Sequence, residues 1–381
     1  MPLVAALGLW CGGSLSAVSE NGLKVLALVT DSFGGHGGIA RYNQDLLSAL
    51  ALSSRVSDVL VVPRHGATAN DDLPNAVHQT SPRPGRVSYA GRALAHALSR
   101  TSFDIVFCGH LYMSPLATLI SVTLKKPMWL QLHGIEAWEC PGVLVRAAAD
   151  RAALVTSVSR YTRHRFLEWA NVPPERVRVL PNTFEPRFAA GPKPDYLTRR
   201  HNLHGRRVLL TVSRLAASER CKGHDRVIAA LPRILERIPE VIYLVVGDGD
   251  DRQRLEELAQ TTGVAHVMRF AGHVPHTELP DYFRLADVFV MPSTQEGFGI
   301  VFLEAAASGL PIIGGNRDGS ADALAEGAIG TLIDPDDAPQ LVGAICNALD
   351  CRALRTDRAA IERFGLQNFT AHVDDLVRSL N

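Results

Sequence analysis

Ser293-Thr-Gln-Glu296-Gly-Phe-Gly299-Ile-Val-Phe-Leu-Glu304-Ala-Ala-Ala-Ser-Gly309 decides how the chain is read. Just before it, Ala286 to Pro292 has the short apolar run of a buried parallel strand. After it, Ile300 to Ser308 is rich in helix formers and stops at Gly309, a residue suited to the position past a helix end. The segment therefore reads as strand, glycine loop, helix. Glu296 falls in the loop and Glu304, eight positions on, inside the helix. Gly297 and Gly299 let a ligand approach the backbone closely, and the helix start offers free N–H groups to an anion. In an open α/β sheet, the crevice beyond the carboxyl ends of the strands is where ligands bind. Two ionised carboxylates there are acceptors for polyol hydroxyls. Taken singly, each suits a solvated surface charge equally well.

Outward from this stretch, the same pattern recurs. Val208 to Arg214 reads as a strand ending in an arginine, and eight residues later Lys222-Gly223 opens a helix. Two cations so placed can converge on one diphosphate, Arg as a planar fork and Lys as a point charge. Val245-Val-Gly-Asp-Gly249 ends a further strand. The following Asp250-Asp251 reads as loop and helix N-terminal charge, and no metal is expected. Far upstream, Lys24 to Thr30 is a buried strand, Asp31 to Gly38 a glycine-rich loop, and Ile39 to Leu52 helical. That arrangement cradles phosphate, although it lacks the G-x-G-x-x-G pattern of a nicotinamide oxidoreductase. His133 follows the apolar run Met128 to Leu132, again at a strand end, where it could donate to a bound ligand or help position it.

Glu296 to Glu304, in order with these companions, resembles the E-x7-E signature of the retaining glycosyltransferases of family four, which have the GT-B fold. The resemblance runs from the Gly34-Gly35-His36-Gly37-Gly38 loop to the C-terminal helix. It implies two doubly wound Rossmann-like domains facing across a cleft, with no resident cofactor and a GDP- or UDP-linked sugar as donor. Gly37 and Gly38 would meet the diphosphate with Arg214 and Lys222. Val274 would hold the nucleobase by its backbone. Glu296 and the amides of Phe298, Gly299 and Ile300 would hold the sugar, Glu304 the ribose, and His133 would lie near the anomeric centre. Ser157 to Tyr161 would line the acceptor side. Gly314 to Asp322 departs from the family's usual Gly-Gly-x-x-Glu-like element, and no role is assigned to it.

Bulk properties agree with this. A length of 381 residues suits two domains, and 46% hydrophobic with 20% charged residues suits a globular chain. The proline-rich passage from Asn171 to Pro194 interrupts regular structure. The expected division is an extension over 1–22, an acceptor-side domain over 23–190, a nucleotide-sugar domain over 191–355, and a helix over 356–381 crossing back to the first domain. Lys+Arg and Asp+Glu both number 39, so nucleic acid is not an expected partner. The charge is uneven: residues 1–190 carry 18 basic and 13 acidic side chains (+5), the remainder 21 and 26 (−5). With the basic amphipathic stretch Arg86 to Arg100, this raises the expectation of peripheral contact with an anionic membrane. Six cysteines without C-x-x-C or metal spacing read as reduced thiols of a cytoplasmic protein.

The function expected is transfer of a hexosyl group, mannosyl by a small preference, to a saccharide or lipid-linked saccharide in cell-surface or exopolysaccharide synthesis. Two alternatives of other classes stand beside it. A nucleotide-sugar epimerase of the same fold would need no acceptor, and a catalytically silent nucleotide-sugar-binding module would keep the fold without the chemistry.

Overall fold

The computed structural model describes residues 22–67, 73–99, 102–350 and 358–380. The expected extension up to residue 21, Arg100, Cys11 and Cys351, and the boundary at residue 355 lie outside the described residues.

Within them, two parallel sheets form. The first comprises β1 (Leu23–Val29), β2 (Val56–Pro63), β3 (Val77–Gln79), β4 (Ile105–Cys108), β5 (Met128–Leu132), β6 (Leu154–Ser157) and β7 (Val177–Val179), in the order β3-β2-β1-β4-β5-β6-β7. The second comprises β8 (Arg207–Val212), β9 (Val241–Val246), β10 (Met268–Gly272), β11 (Val288–Met291), β12 (Ile312–Gly315) and β13 (Thr331–Ile333), in the order β10-β9-β8-β11-β12-β13. In both, the chain winds outward from a central first strand, then reverses and winds the other way. The reversal leaves a crevice at the carboxyl ends of β1/β4 and of β8/β11. Val25 to Val29 have no exposed surface, because helices cover both faces of a parallel sheet.

The helices of the first domain are α1 (Gly38–Leu52), α2 (Arg86–Ala97), α3 (Ser114–Leu124), α4 (Val143–Ala149) and α5 (Arg160–Leu167). Those that follow are α6 (Asp195–Arg200), α7 (His224–Leu235), α8 (Arg252–Thr261), α9 (Leu279–Leu285), α10 (Ile300–Ala307), α11 (Ser320–Ala323), α12 (Ala338–Asp350), α13 (Arg358–Glu362) and α14 (Leu366–Ser379). The last two stand where a single helix over 356–381 was expected; the helix is interrupted at Arg363 to Gly365. α14 returns to the first domain and buries Phe369, Val373 and Val377 against α1. Phe369 meets the edge of Tyr42 at 6.0 Å, and Asp374 accepts from Ser53 Oγ at 2.5 Å.

β3 and β7, three residues each, were not legible from hydrophobic runs. They complete sheet edges whose register is set by β2 and β6. The free cysteines among the described residues are Cys108, Cys140, Cys221 and Cys346. No described helix is long and apolar enough to cross a membrane.

Candidate active site

The two crevices face each other and merge into one cleft of about 820 Å³. Gly37, Gly38 and His133 line its first-domain wall; Arg214, Lys222, Val274, Glu296, Phe298, Gly299 and Ile300 line the other.

α1 begins at the floor of the cleft. Gly37 adopts φ 94°, a left-handed conformation that an L side chain rarely takes, and no side chain caps the helix. The amides of Gly38, Ile39 and Ala40 therefore stand at the wall as free donors at the positive end of a 15-residue helix. α10 starts in the same way, at Gly299 with φ 88°. Two helix N-termini thus open on one hollow.

Arg214 leaves the end of β8 and donates to Glu219; Lys222 ends the 3-10 segment Ala217–Lys222 and donates its Nζ to Glu296 Oε2. The Lys222 and Glu296 side chains are only 17% and 14% exposed, so this is a largely desolvated pair. Burial works against the charged lysine, but Glu296 outweighs it and holds the ammonium above its usual range. Beneath the two cations, His224 Nε2 meets Ser213 Oγ at 2.8 Å and Nδ1 meets Tyr243 Oη at 3.0 Å. Burial pushes His224 down to about 4, so it is a neutral strut for the loop that carries Arg214.

The Glu296 loop is positioned by a residue the sequence did not single out. Asp318, buried in the loop after β12, accepts from Ser293 Oγ (2.9 Å), Ser320 N–H (2.9 Å) and Glu296 N–H (2.6 Å). Gly319 N–H reaches the Glu296 carbonyl at 2.8 Å. Thus Gly314 to Asp322, left without a role above, clamps the loop between β11 and α10. Its only sequence signal was an Asp-Gly pair after a strand.

Two expectations are corrected. His133 Nε2 lies 2.9 Å from the Gly109 carbonyl, which can only accept, so Nε2 carries the proton and Nδ1 the lone pair. Burial pushes the ring down to about 4. Its one N–H is spent on Gly109, so of the two roles expected, donating or positioning, the free ring nitrogen is left only the second, as an acceptor. Glu304 does not line the cleft. It is 7% exposed, and burial raises its carboxyl to about 8, with Glu185 adding to the rise and Arg41 and Arg187 opposing it. At neutral pH it is a neutral acid able to donate, rather than a pure acceptor.

Of the stretch Ser157 to Tyr161, Val158 lines the cleft while Arg160 does not. Arg160 bridges the domains: its backbone N–H and Nε reach Asp322 Oδ1 at 3.0 and 2.8 Å, and its guanidinium also meets Glu326. At the cleft itself the domains touch backbone to backbone. A Cβ on Gly297 would lie 2.1 Å from the His133 carbonyl oxygen, and one on Gly134 2.7 Å from Gly297 Cα. Asp250 accepts from Ala217 N–H, and Asp251 pairs with Arg220 and Arg254. Among the described residues no cluster suited to holding a metal ion occurs.

A model of Glycosyltransferase Family 4 matches residues 36–188, and a model of Glycosyl transferases group 1 matches residues 197–363. The chain belongs to the family-four glycosyltransferases. A GDP-mannose-dependent alpha-(1-6)-phosphatidylinositol monomannoside mannosyltransferase of Mycobacterium tuberculosis is 31% identical to this transferase over 349 residues, covering 86% of this chain and 89% of the relative. The protein of the same name from Mycolicibacterium smegmatis is 35% identical over 215 residues. That match spans 54% of this chain and 55% of the relative. In shape, the Anabaena protein HepE in complex with UDP and glucose superposes with a TM-score of 0.75 at 20% identity, covering 94% of this chain and 100% of that one. Sucrose-phosphate synthase from Thermosynechococcus elongatus gives 0.72 at 21% identity, covering 94% and 99%. These likenesses speak for the fold, which is GT-B. The transferase moves a hexosyl group from a nucleotide-sugar donor.

Proposed function

We propose that this transferase takes a mannosyl group from GDP-mannose, with retention, and gives it to a lipid-linked saccharide. Support comes from one observation above all. The two cations Arg214 and Lys222, the carboxylate Glu296, and the N-terminal amides of α1 and α10 open on one cleft. Cations and helix dipoles suit the charge that grows on a departing diphosphate as the anomeric C–O bond breaks. Glu296 suits the hydroxyls of the sugar. Val274, with Val246 and Leu279 beside it on the cleft wall, offers an apolar seat for a nucleobase. The proton of the attacking hydroxyl passes to the departing phosphate oxygen, which gains charge as the anomeric C–O bond breaks. His133, neutral and accepting, orients a hydroxyl but does not ionise one. Mannose and the lipid-linked acceptor are favoured because the curated relatives cited above are named for both.

The experiment is thermal unfolding with GDP, UDP and ADP, followed by donor turnover. GDP should stabilise the protein most, by RT ln(1 + [L]/Kd). Lys222→Ala should remove that stabilisation and cut turnover by about a hundredfold or more. Stabilisation by UDP alone would overturn the mannosyl reading. A Lys222→Ala protein with near-normal turnover would overturn the site.

A further inference from the structure

Away from the cleft, unexplained apolar surface gathers on one layer of the first domain. Of the eleven large apolar side chains that stand exposed among the described residues, eight fall between Val87 and Leu144. A helix on a water-facing layer normally turns such residues inward. α3 turns Ala117 and Ile120 to the sheet, yet leaves Leu119 and Val122 53% and 52% exposed on its outer stripe. α4, packed beside α3, opens with Val143 and Leu144 at 83% and 79% exposure. Tyr112 lies in the 3-10 turn Leu111–Met113, which touches both α4 and the turn Ile135–Ala137. Ile135, half exposed, also lines the cleft, so the apolar surface is continuous with the active-site mouth.

Charge selects the occupant. α2, α3 and α4 contain no aspartate or glutamate, while Arg86 and Arg92 stand on α2 and Arg146 on α4. Of the acids on the neighbouring loops, Asp104 is paired with Lys126, Glu136 receives the His133 N–H, Asp150 receives the Asn171 N–H, and Glu139 is exposed. A second copy of this face would set arginines against arginines. A sheet of anionic lipid phosphates meets both its apolar and its cationic character. Large exposed apolar patches with a polar rim mark such partners.

We propose that the α2–α4 layer is a docking face for a bilayer containing anionic phospholipid. Val143, Leu144, Leu119 and Val122 enter the boundary between headgroups and acyl chains, and the arginines contact lipid phosphates. This rests on the proposed function and deepens it: Ile135 joins the docked face to the cleft, so an acceptor headgroup reaches the donor while its tails stay in the bilayer.

The test uses the full chain and co-sedimentation with vesicles of phosphatidylcholine, alone or mixed with phosphatidylglycerol, at low and high salt. The wild type should bind the mixed vesicles and lose binding as salt rises. Val143→Glu with Leu144→Glu should weaken that binding at least about tenfold. Arg86→Gln with Arg92→Gln should weaken it while flattening the salt dependence, and Tyr196→Glu, exposed on the other domain, should change nothing. Each variant is checked for unchanged stabilisation by GDP and UDP, which reads the cleft independently. Equal binding to both vesicle types, or binding indifferent to Val143→Glu with Leu144→Glu, overturns the proposal. So does a dimer that this double variant dissociates without any vesicle binding. Vesicle binding as expected, with no stabilisation by either nucleotide, would keep the docking face and sink the donor reading.

Discussion

Glu304 lies on α10 with no hydrogen bond or ion pair reaching its carboxyl among the described residues, and burial raises that carboxyl from 4.5 to about 8. Around it, Asp45 is itself raised to about 6 by burial. Glu185, despite its own burial, is drawn down to about 2 by His276, Arg41 and Arg187. A carboxyl whose folded value lies above its unfolded one stabilises the fold fully only below the unfolded value. That stability is lost as pH rises toward the folded value. The window therefore runs from 4.5 to about 8. At about 1.4 kcal/mol per decade, the wild type should lose about 1 kcal/mol by pH 5, about 3 by pH 7 and nearly 5 by pH 9, relative to a neutral side chain. Glu304→Gln supplies that side chain with the same shape. Equilibrium urea unfolding of both proteins at these three values should show the variant gaining stability over the wild type as pH rises. A difference that stays flat within about 1 kcal/mol across the range would refute the claim that the carboxyl is buried and neutral.

Two further outcomes follow from the contacts between domains. Gly297→Ala puts a Cβ 2.1 Å from the His133 carbonyl, a backbone atom that cannot swing aside; the lobes should be held apart, raising the radius of gyration in small-angle scattering and reducing turnover, and unchanged scattering with normal turnover would contradict this. Arg160→Ala removes the pair with Asp322 and Glu326; because Arg160 is 60% exposed, global stability should change by less than about 1 kcal/mol, while amide exchange at the start of α5 should accelerate. Unaltered exchange there would mean the bridge does not hold the domains.

Much of this was written in runs and spacings. Ile105–Cys108, Met128–Leu132 and Leu154–Ser157 form strands where their apolar runs begin and end, because a strand buried on both faces needs an unbroken apolar sequence. Glycine-bearing loops after such strands led to Gly37 and Glu296, and a strand's carboxyl end led to Arg214, since the topology fixes where those ends point. What depends on partners far away in sequence was not legible. Nothing near Asp318 indicates that it receives the Glu296 amide. Nothing near Arg160 indicates a carboxylate 162 positions away. His133 and Glu304 were placed in the right loop and helix, but their protonation is set by burial against Gly109 and Glu185, which only the folded chain supplies.

The cleft also shows why its charges are paired among themselves. A lysine as desolvated as Lys222 is costly unless an anion stands beside it. Glu296 supplies one from the facing loop, as Glu219 does for the more exposed Arg214. On the proposed reading, a diphosphate replaces those carboxylates as the partner of both cations. Glu296 is then released toward hydroxyls, still anchored through its own N–H to Asp318. The hold on the leaving group and the hold on the sugar therefore share one ion pair, and neither can be altered by mutation without altering the other.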